Sequence, residues 1–376
     1  MNKIAFFRPS VDSTEEELLK SVLNSEIVNQ NVVLEEKFAN FVGSDYAITT
    51  SNGTAALHLS MCALDLKRGD KVICSVNAFP SVPEVVRHFD AEPILVDVNK
   101  DSYTMNLDDL EKILAANKSK KLKAVIFTHI GGKIGDLERL YELGKTYNVK
   151  IVEDASEALG AMYNGKRIGA TGADITTFTF SPHLKGNVVK GGILVTNDEA
   201  LKDRALLLRN HGIGVKSARD NSMHYVYDVL DIGCKYDMGD VESTFTIAQL
   251  DKLESQIERC KAIAGTYMEK LSDVPHITLP TIDDNDANQL FIVKIDKNRD
   301  GFAKELENRG IETGLHYIPI HLLTYYKEKY NLRVNDFPVS LQNYQQILSL
   351  PLYADLSDAE VDYICEQIID VASHWV

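Results

Sequence analysis

Residues 151–161 read IVEDASEALGA and residues 176–198 read TTFTFSPHLKGNVVKGGILVTND, and these two stretches decide the fold class. The first is a β-branched run that ends in two carboxylates, Glu153 and Asp154. Open α/β sheets gather ligand-binding groups at that end of their strands. The second alternates small hydroxyls with aromatics through Thr177, Phe178, Thr179, Phe180 and Ser181. It continues into Pro182, His183, Leu184 and Lys185, then returns to an apolar strand after Gly191 and Gly192.

A carboxylate at a strand end can hold a cationic ring nitrogen, and a lysine further along can offer an amine to the same ligand. Asp154 and Lys185 together are the pair that pyridoxal phosphate chemistry needs, one for the pyridinium nitrogen and one for a Schiff base. Either residue alone is common at protein surfaces, so the pair gains meaning only from a phosphate site elsewhere in the chain.

Such a site is legible upstream. The apolar run Tyr46–Thr50 passes straight into Ser51-Asn52-Gly53-Thr54-Ala55 and a helical pattern. A helix N-terminus presents unpaired N–H groups and the positive end of the helix dipole, so Gly53, Thr54 and Ala55 can hold a phosphate with backbone donors and one hydroxyl. A well-capped helix with nothing bound fits the same residues equally well. Phe79 reads either as a core aromatic or as a ring that stacks on a flat ligand.

Strand and helix patterns alternate over the first 200 residues. That order predicts a mainly parallel sheet covered by helices on both faces. Ser13-Thr14-Glu15-Glu16 has capping-box spacing and opens the first helix; Gly43 closes the second. No GxGxxG follows an early strand, which argues against a dinucleotide-binding enzyme. A long helical pattern over Thr244–Ile263 marks a change of domain, followed by a strand at Gln289–Ile295 and a terminal helix at Ser357–Ala372. The expectation is an α/β domain over 1–250 and a smaller α+β domain over 251–376. At 376 residues the chain exceeds what one core usually supports.

Lys plus Arg number 40 and Asp plus Glu 55, a net charge of −15. This balance gives no general attraction for nucleic acid or anionic membranes, so phosphorylated ligands need local positive features. No apolar run reaches membrane-spanning length and the first residues lack the apolar core of a signal peptide, so the expected location is cytoplasmic. The five cysteines, Cys62, Cys74, Cys234, Cys260 and Cys365, are scattered and show no CxxC spacing. They read as reduced thiols, with no disulfide framework and no metal site expected.

Taken together, TTSNGTAALHLSM, VEDASEALGA, KGGILVTND, LRNHG, GCKYDMGDVES, TGLHYIPIHLLTYY and LSLPLYADLSDAEVD resemble the DegT/StrS family of pyridoxal phosphate-dependent sugar aminotransferases. The likeness runs from the region of Asn29 to the last helix. It implies the type I fold of aspartate aminotransferase, pyridoxal 5'-phosphate as cofactor, a nucleotide-linked keto sugar as substrate, an amino acid as donor, and a homodimer with shared sites. By the same resemblance Thr54 and Ala55 hold the cofactor phosphate, Phe79 covers the pyridine ring, and Asp154 pairs with its nitrogen. Glu157 stands where relatives often carry Gln or His near the ring oxygen. Lys235 reaches the phosphate of the neighbouring subunit, and His316, Tyr317 and His321 approach the sugar nucleotide. Read without the resemblance, His316 and His321 are buried polar residues.

One departure lies in the lysine loop. The family pattern S-F-H-P-T-K-N, five residues, Gly-Gly places its lysine on Leu184 here, with Lys185 one position late and His183 one position early. A one-residue bulge gives Lys185 the Schiff-base role and lets Ser181 replace Thr179 as a phosphate hydroxyl. This reading is favoured, because a loop absorbs one residue more easily than catalysis loses its base. The alternatives are a site that uses His183 as base, resembling the sugar 3-dehydratase branch, and a relative that binds without turnover.

Overall fold

The alternation read from the sequence is realised as a seven-stranded sheet between two layers of helices. The structure, a computed structural model, describes residues 3–24, 26–181, 189–214 and 227–375. Helices α1 (Ser13–Leu23) and α2 (Gln30–Val42) lead to β1 (Tyr46–Thr50), α3 (Gly53–Ala63), β2 (Lys71–Ser75), α4 (Ser81–Arg87) and β3 (Glu92–Val96). Next come α5 (Leu107–Ala116), β4 (Leu122–Thr128), α6 (Leu137–Tyr147), β5 (Lys150–Asp154), and the short pair β6 (Met162–Tyr163) and β7 (Lys166–Arg167). Strands β8 (Ile175–Phe180) and β9 (Gly191–Thr196) and helix α7 (Glu199–Arg209) finish this part. The rest consists of α8 (Asp240–Lys270), β10 (Ile277–Thr278), β11 (Phe291–Ile295), α9 (Arg299–Asn308), α10 (Thr324–Lys329), α11 (Pro338–Gln346), β12 (Ile347–Leu350) and α12 (Asp358–Ser373).

Local chemistry sets several of these boundaries. The Asn106, Asp136, Asp198 and Ser357 side chains each accept N–H bonds at the start of α5, α6, α7 and α12. The first helix differs from expectation by one residue. Its cap is Asp12, which accepts from the Thr14 N–H while Glu15 accepts from the Asp12 N–H. Asp at the cap puts Glu15 at the third position, where the reciprocal bond closes.

The large sheet has the order β1-β9-β8-β5-β4-β2-β3. Strands β8, β5, β4, β2 and β3 are parallel, and β9 is antiparallel to both of its neighbours. Successive residues point to opposite faces. On one face Ile73, Val125, Ile151, Phe178 and Ile193 pack against Phe38 of α2, Leu110 of α5, Leu140 of α6 and Leu250 of α8. On the other, Val72, Cys74, Ile126, Val152 and Leu194 pack against Leu59 of α3, Val85 of α4 and Ala205 of α7. Burial on both faces is why these strands read as continuous apolar runs.

A second core surrounds the antiparallel sheet β10-β11-β12. Helix α8 serves both cores: Leu253 and Ile257 belong to the first, and Cys260, Ile263 and Tyr267 to the second. The N-terminal segment also joins the second core, where Ile4 is buried and pairs with Ile311. Among the described residues no helix is long and apolar enough to cross a membrane.

Candidate active site

The parallel strands end on a common edge, and their register fixes what stands there. Thr128 of β4 is level with Asp154 of β5, and Asp154 is level with Thr177 of β8. On the far side, Gly192 of β9 lies opposite both Thr50 and Thr179. A Cβ at Gly192 would sit 2.4 Å from the Asn52 carbonyl oxygen and 2.7 Å from the Gly53 nitrogen. Only glycine lets β9 pass this close to the strand-to-helix turn that starts α3, and the same holds for Gly53, whose Cβ would overlap the Thr179 hydroxyl.

A cleft of about 830 Å³ opens at this edge, between the two cores. Gly53 and Thr54 border it at the N-terminus of α3, a helix without an acidic residue in its first turn. Phe79 flanks it with 53% of its surface exposed, in edge contact with the Tyr317 ring. Asp154 and Glu157 line its floor, Thr179 and Ser181 its β8 side, and Gly314, His316 and Tyr317 its second-core side.

The floor is acidic and dry. Asp154 is buried at the end of β5 and accepts from the Ser156 hydroxyl at 2.6 Å and the Ser156 N–H at 3.2 Å. Ser156 Oγ lies 2.9 Å from Thr179 Oγ1, which ties Asp154 to the residue beneath Gly53. Burial raises the Asp154 carboxyl above its ordinary value, and the Ser156 donors oppose that rise. Burial also pushes Glu157 up to about 7, against the bonds donated by the Tyr317 hydroxyl and the Gly131 N–H. Burial beside Glu157 keeps the Tyr317 hydroxyl protonated well above its usual range. A buried carboxylate without a cation is unfavourable, so this floor favours a positive group beside Asp154.

These residues suit pyridoxal phosphate. The α3 N-terminus would hold a phosphate, Phe79 would flank a ring, and Asp154 would pair with a protonated ring nitrogen. Residues 9–369 match the DegT/DnrJ/EryC1/StrS aminotransferase family. The chain belongs to that family. A Methanocaldococcus jannaschii relative, named only uncharacterized protein MJ1066, is 31% identical over 98% of this chain and 97% of its own. Spr1654 of Streptococcus pneumoniae, a candidate sugar aminotransferase, is 25% identical in its PMP-form, with a TM-score of 0.90 over 98% of this chain and 99% of that one. A PLP-form of the same protein, also 25% identical, has a TM-score of 0.88 with 99% of each chain covered. DesV of S. venezuelae, solved in complex with a ketimine intermediate, is 26% identical, with a TM-score of 0.88 and 100% of both chains covered. The type I fold expected from the resemblance is therefore the fold of this family member.

Of the expected site residues, Gly53, Thr54, Phe79, Asp154, Glu157, Thr179, Ser181, His316 and Tyr317 all border the one cleft. Ala55 does not, and its N–H donates to the Asn52 side chain that caps α3. Lys235 is largely exposed and pairs with Asp237 at 2.7 Å, outside the cleft of its own chain. His321 is fully buried away from it, with Nε2 3.0 Å from the Val334 carbonyl and its ring against Phe337. Lys185 and His183 lie outside the described residues.

The cleft also holds side chains that the sequence reading passed over. His129, at the end of β4, is buried with Nε2 3.3 Å from Glu153 and Nδ1 3.3 Å from the Lys133 carbonyl. Its place at a strand end was a usable signal. Lys190, immediately before Gly191, also lines the cleft. Phe6, which stacks on His316 at 5.6 Å, and Gln289 come from segments whose local sequence carries no mark of a site.

Proposed function

We propose that the protein is an aminotransferase that converts a nucleotide-linked keto sugar to the amino sugar, with glutamate as amino donor, in the cytoplasm. The observation that carries this reading is the buried Asp154 carboxylate facing the N-terminus of α3 across one cleft. The cofactor is pyridoxal 5'-phosphate, which when bound supplies an electron sink for the carbon that loses its proton.

The chain's own residues have the following roles. Asp154 holds a cationic ring nitrogen and keeps it protonated, while Ser156 fixes the carboxylate's direction. Gly53, Thr54, Thr179 and Ser181 surround the phosphate position. Lys185 would hold the cofactor through its amine, and the same amine would serve as the base and then the acid that moves a proton between carbons. Glu157 and Tyr317 form a hydrogen-bonded pair on the cleft floor, and His316 and Tyr317 border the side from which the sugar enters. Lys235, which points away from its own cleft, reaches the phosphate site of a second copy and makes the working unit a homodimer. The proposed division into 1–250 and 251–376 falls inside α8, the helix that both cores share, and the substrate is held between the two parts.

The test is absorbance of the purified protein with pyridoxal phosphate, borohydride reduction, and peptide mapping. A phosphopyridoxyl group on Lys185 is expected. The same group on Lys190 would move the anchoring role to the lysine that lines the described cleft. A bound cofactor with no modified lysine would overturn the transamination reading and favour His183 as base.

A further inference from the structure

A second cluster of reactive side chains lies at the other end of the helix that starts at the cleft. His58 and Cys62 are one turn apart on α3, and the pairing of distant segments brings Cys234 to them. The segment that carries Cys234 is pinned by its backbone: the Cys234 N–H donates to the Leu208 carbonyl at 2.7 Å, the Tyr236 N–H to the Arg209 carbonyl at 3.0 Å, and the Ser51 N–H to the Tyr236 carbonyl at 2.7 Å. One ligand atom from each of His58, Cys62 and Cys234 lies within 4.8 Å of the other two. Cys62 Sγ is 3.6 Å from His58 Nδ1, and the Cys62 and Cys234 sulfurs lie within 4.8 Å of each other.

We propose that His58, Cys62 and Cys234 bind a thiophilic divalent cation of the zinc type. Bond lengths of about 2.0–2.1 Å to nitrogen and 2.3 Å to sulfur, at a tetrahedral angle, separate two such ligands by about 3.6 Å. The His58–Cys62 distance already has that value, so these two need no rearrangement. The imidazole is also held in place. It stacks on Phe89 with ring centres 5.0 Å apart, and His88 lies at 5.3 Å. The Tyr236 hydroxyl, 3.3 Å from His58 Nδ1, stands beside the fourth position and gives it up to the metal, to water, or to its own oxygen as ligand.

One imidazole and two thiolates select a borderline-soft ion over magnesium or calcium, which prefer oxygen. Binding exchanges two thiol protons for the metal, with no change of oxidation state and no need for an oxidant. The bound ion ties α3, whose first turn borders the cleft, to the segment that carries Lys235. It therefore braces the phosphate end of the site without entering it. The sequence reading expected no metal site because Cys62 and Cys234 are far apart in the chain and neither belongs to a CxxC pair.

The experiment uses the full-length protein with its cofactor, reduced, stripped with a chelator and desalted. Cobalt(II) is added first, followed by zinc. The expected result is one cobalt per chain with thiolate-to-cobalt charge-transfer absorption in the difference spectrum, displaced by zinc. Cys62→Ser and Cys234→Ser are each expected to weaken zinc binding by more than the roughly 10–100-fold that loss of an outer-sphere partner causes. Both variants are checked for retained cofactor absorbance, and Cys234→Ser changes a half-buried loop residue that α3 does not need in order to fold. Zinc is expected to raise the melting temperature of the wild type and not of the variants. Absence of the thiolate band in the wild type, or an unchanged band in the double variant, overturns the proposal.

Discussion

Replacing Glu157 by Gln isolates the charge that the cleft floor resists. In the folded chain this carboxyl titrates at about 7, against an ordinary value of 4.5. Between those pH values the unfolded chain has released the proton and the folded chain still holds it. The folded state then binds more protons, so raising the pH favours unfolding. Stability from this group is complete below about pH 4.5 and lost as the pH rises through about 7. For two such pKa values the loss between pH 5 and pH 8 is about 2–3 kcal/mol in the cofactor-free protein. Gln preserves the local bonding: its oxygen accepts the Gly131 N–H, and its amide donates to a Tyr317 hydroxyl that turns to accept. The assay is urea denaturation of the cofactor-free wild type and E157Q at pH 5, 6, 7 and 8, followed by circular dichroism. The wild type is expected to lose about 2–3 kcal/mol more than E157Q across that range. Parallel curves for the two proteins would refute the reasoning, since they would place Glu157 at an ordinary carboxyl value.

Tyr317→Phe removes one of the two donors to Glu157, which raises that carboxyl further; the fall in stability is expected to start at the same pH as in the wild type but to continue to higher pH and become larger, read in the same titration. Gly192→Ala puts a methyl against the backbone of Asn52 and Gly53, where no side chain can yield. Its expected effect is a loss of about 1–3 kcal/mol of stability in urea denaturation together with weakened cofactor binding, whereas Gly265→Ala, in the open interior of α8, is expected to be neutral or to stabilise by up to about 1 kcal/mol. Asp154→Asn removes one partner of a buried charge pair, a change of about 2–5 kcal/mol, so pyridoxal phosphate affinity measured by absorbance is expected to fall at least about 30-fold.

What the sequence made legible follows the range over which its signals act. Short apolar runs and strong caps are local, so β1 appears with the expected limits and Ser357 caps the helix it was expected to start. Strand direction is not local. Nothing in GGILVT announces that β9 runs against both neighbours, because Gly192 is required by an approach to Asn52 that only the folded sheet creates. The N-terminal segment was grouped with the first 250 residues, yet Ile4 pairs with Ile311 and Phe6 stacks on His316. The site shows the same division. Asp154, Thr179 and Gly53 stand at strand or helix ends and were legible from position alone, while Phe6 and Gln289 reach the cleft through packing between the two cores. His321 illustrates the opposite error of proximity in sequence. It sits five residues past His316, but the turn at Ile320 buries it against Val334 and Phe337.

The charge of the chain explains why the site has this form. At −15 the protein repels a phosphorylated ligand at long range, and salt in the medium screens what field there is within about 10 Å. On the proposed reading, recognition therefore falls to short-range groups: the N–H groups of α3, the hydroxyls of Thr54, Thr179 and Ser181, and the lysines on the loops. Two buried carboxylates three residues apart would seem to oppose this, but they act on the other end of the ligand. Asp154 is suited to a cation because it stands at a strand end where, among the described residues, Ser156 is its donor, and Glu157 avoids like-charge repulsion by holding its proton near neutral pH. A positive ring nitrogen beside Asp154 stabilises both anions at once, so arrival of that ligand draws the Glu157 carboxyl back toward its ordinary range. The floor is thus least stable in the form that needs the cofactor most, and binding relieves the burial that the fold imposes on these two acids.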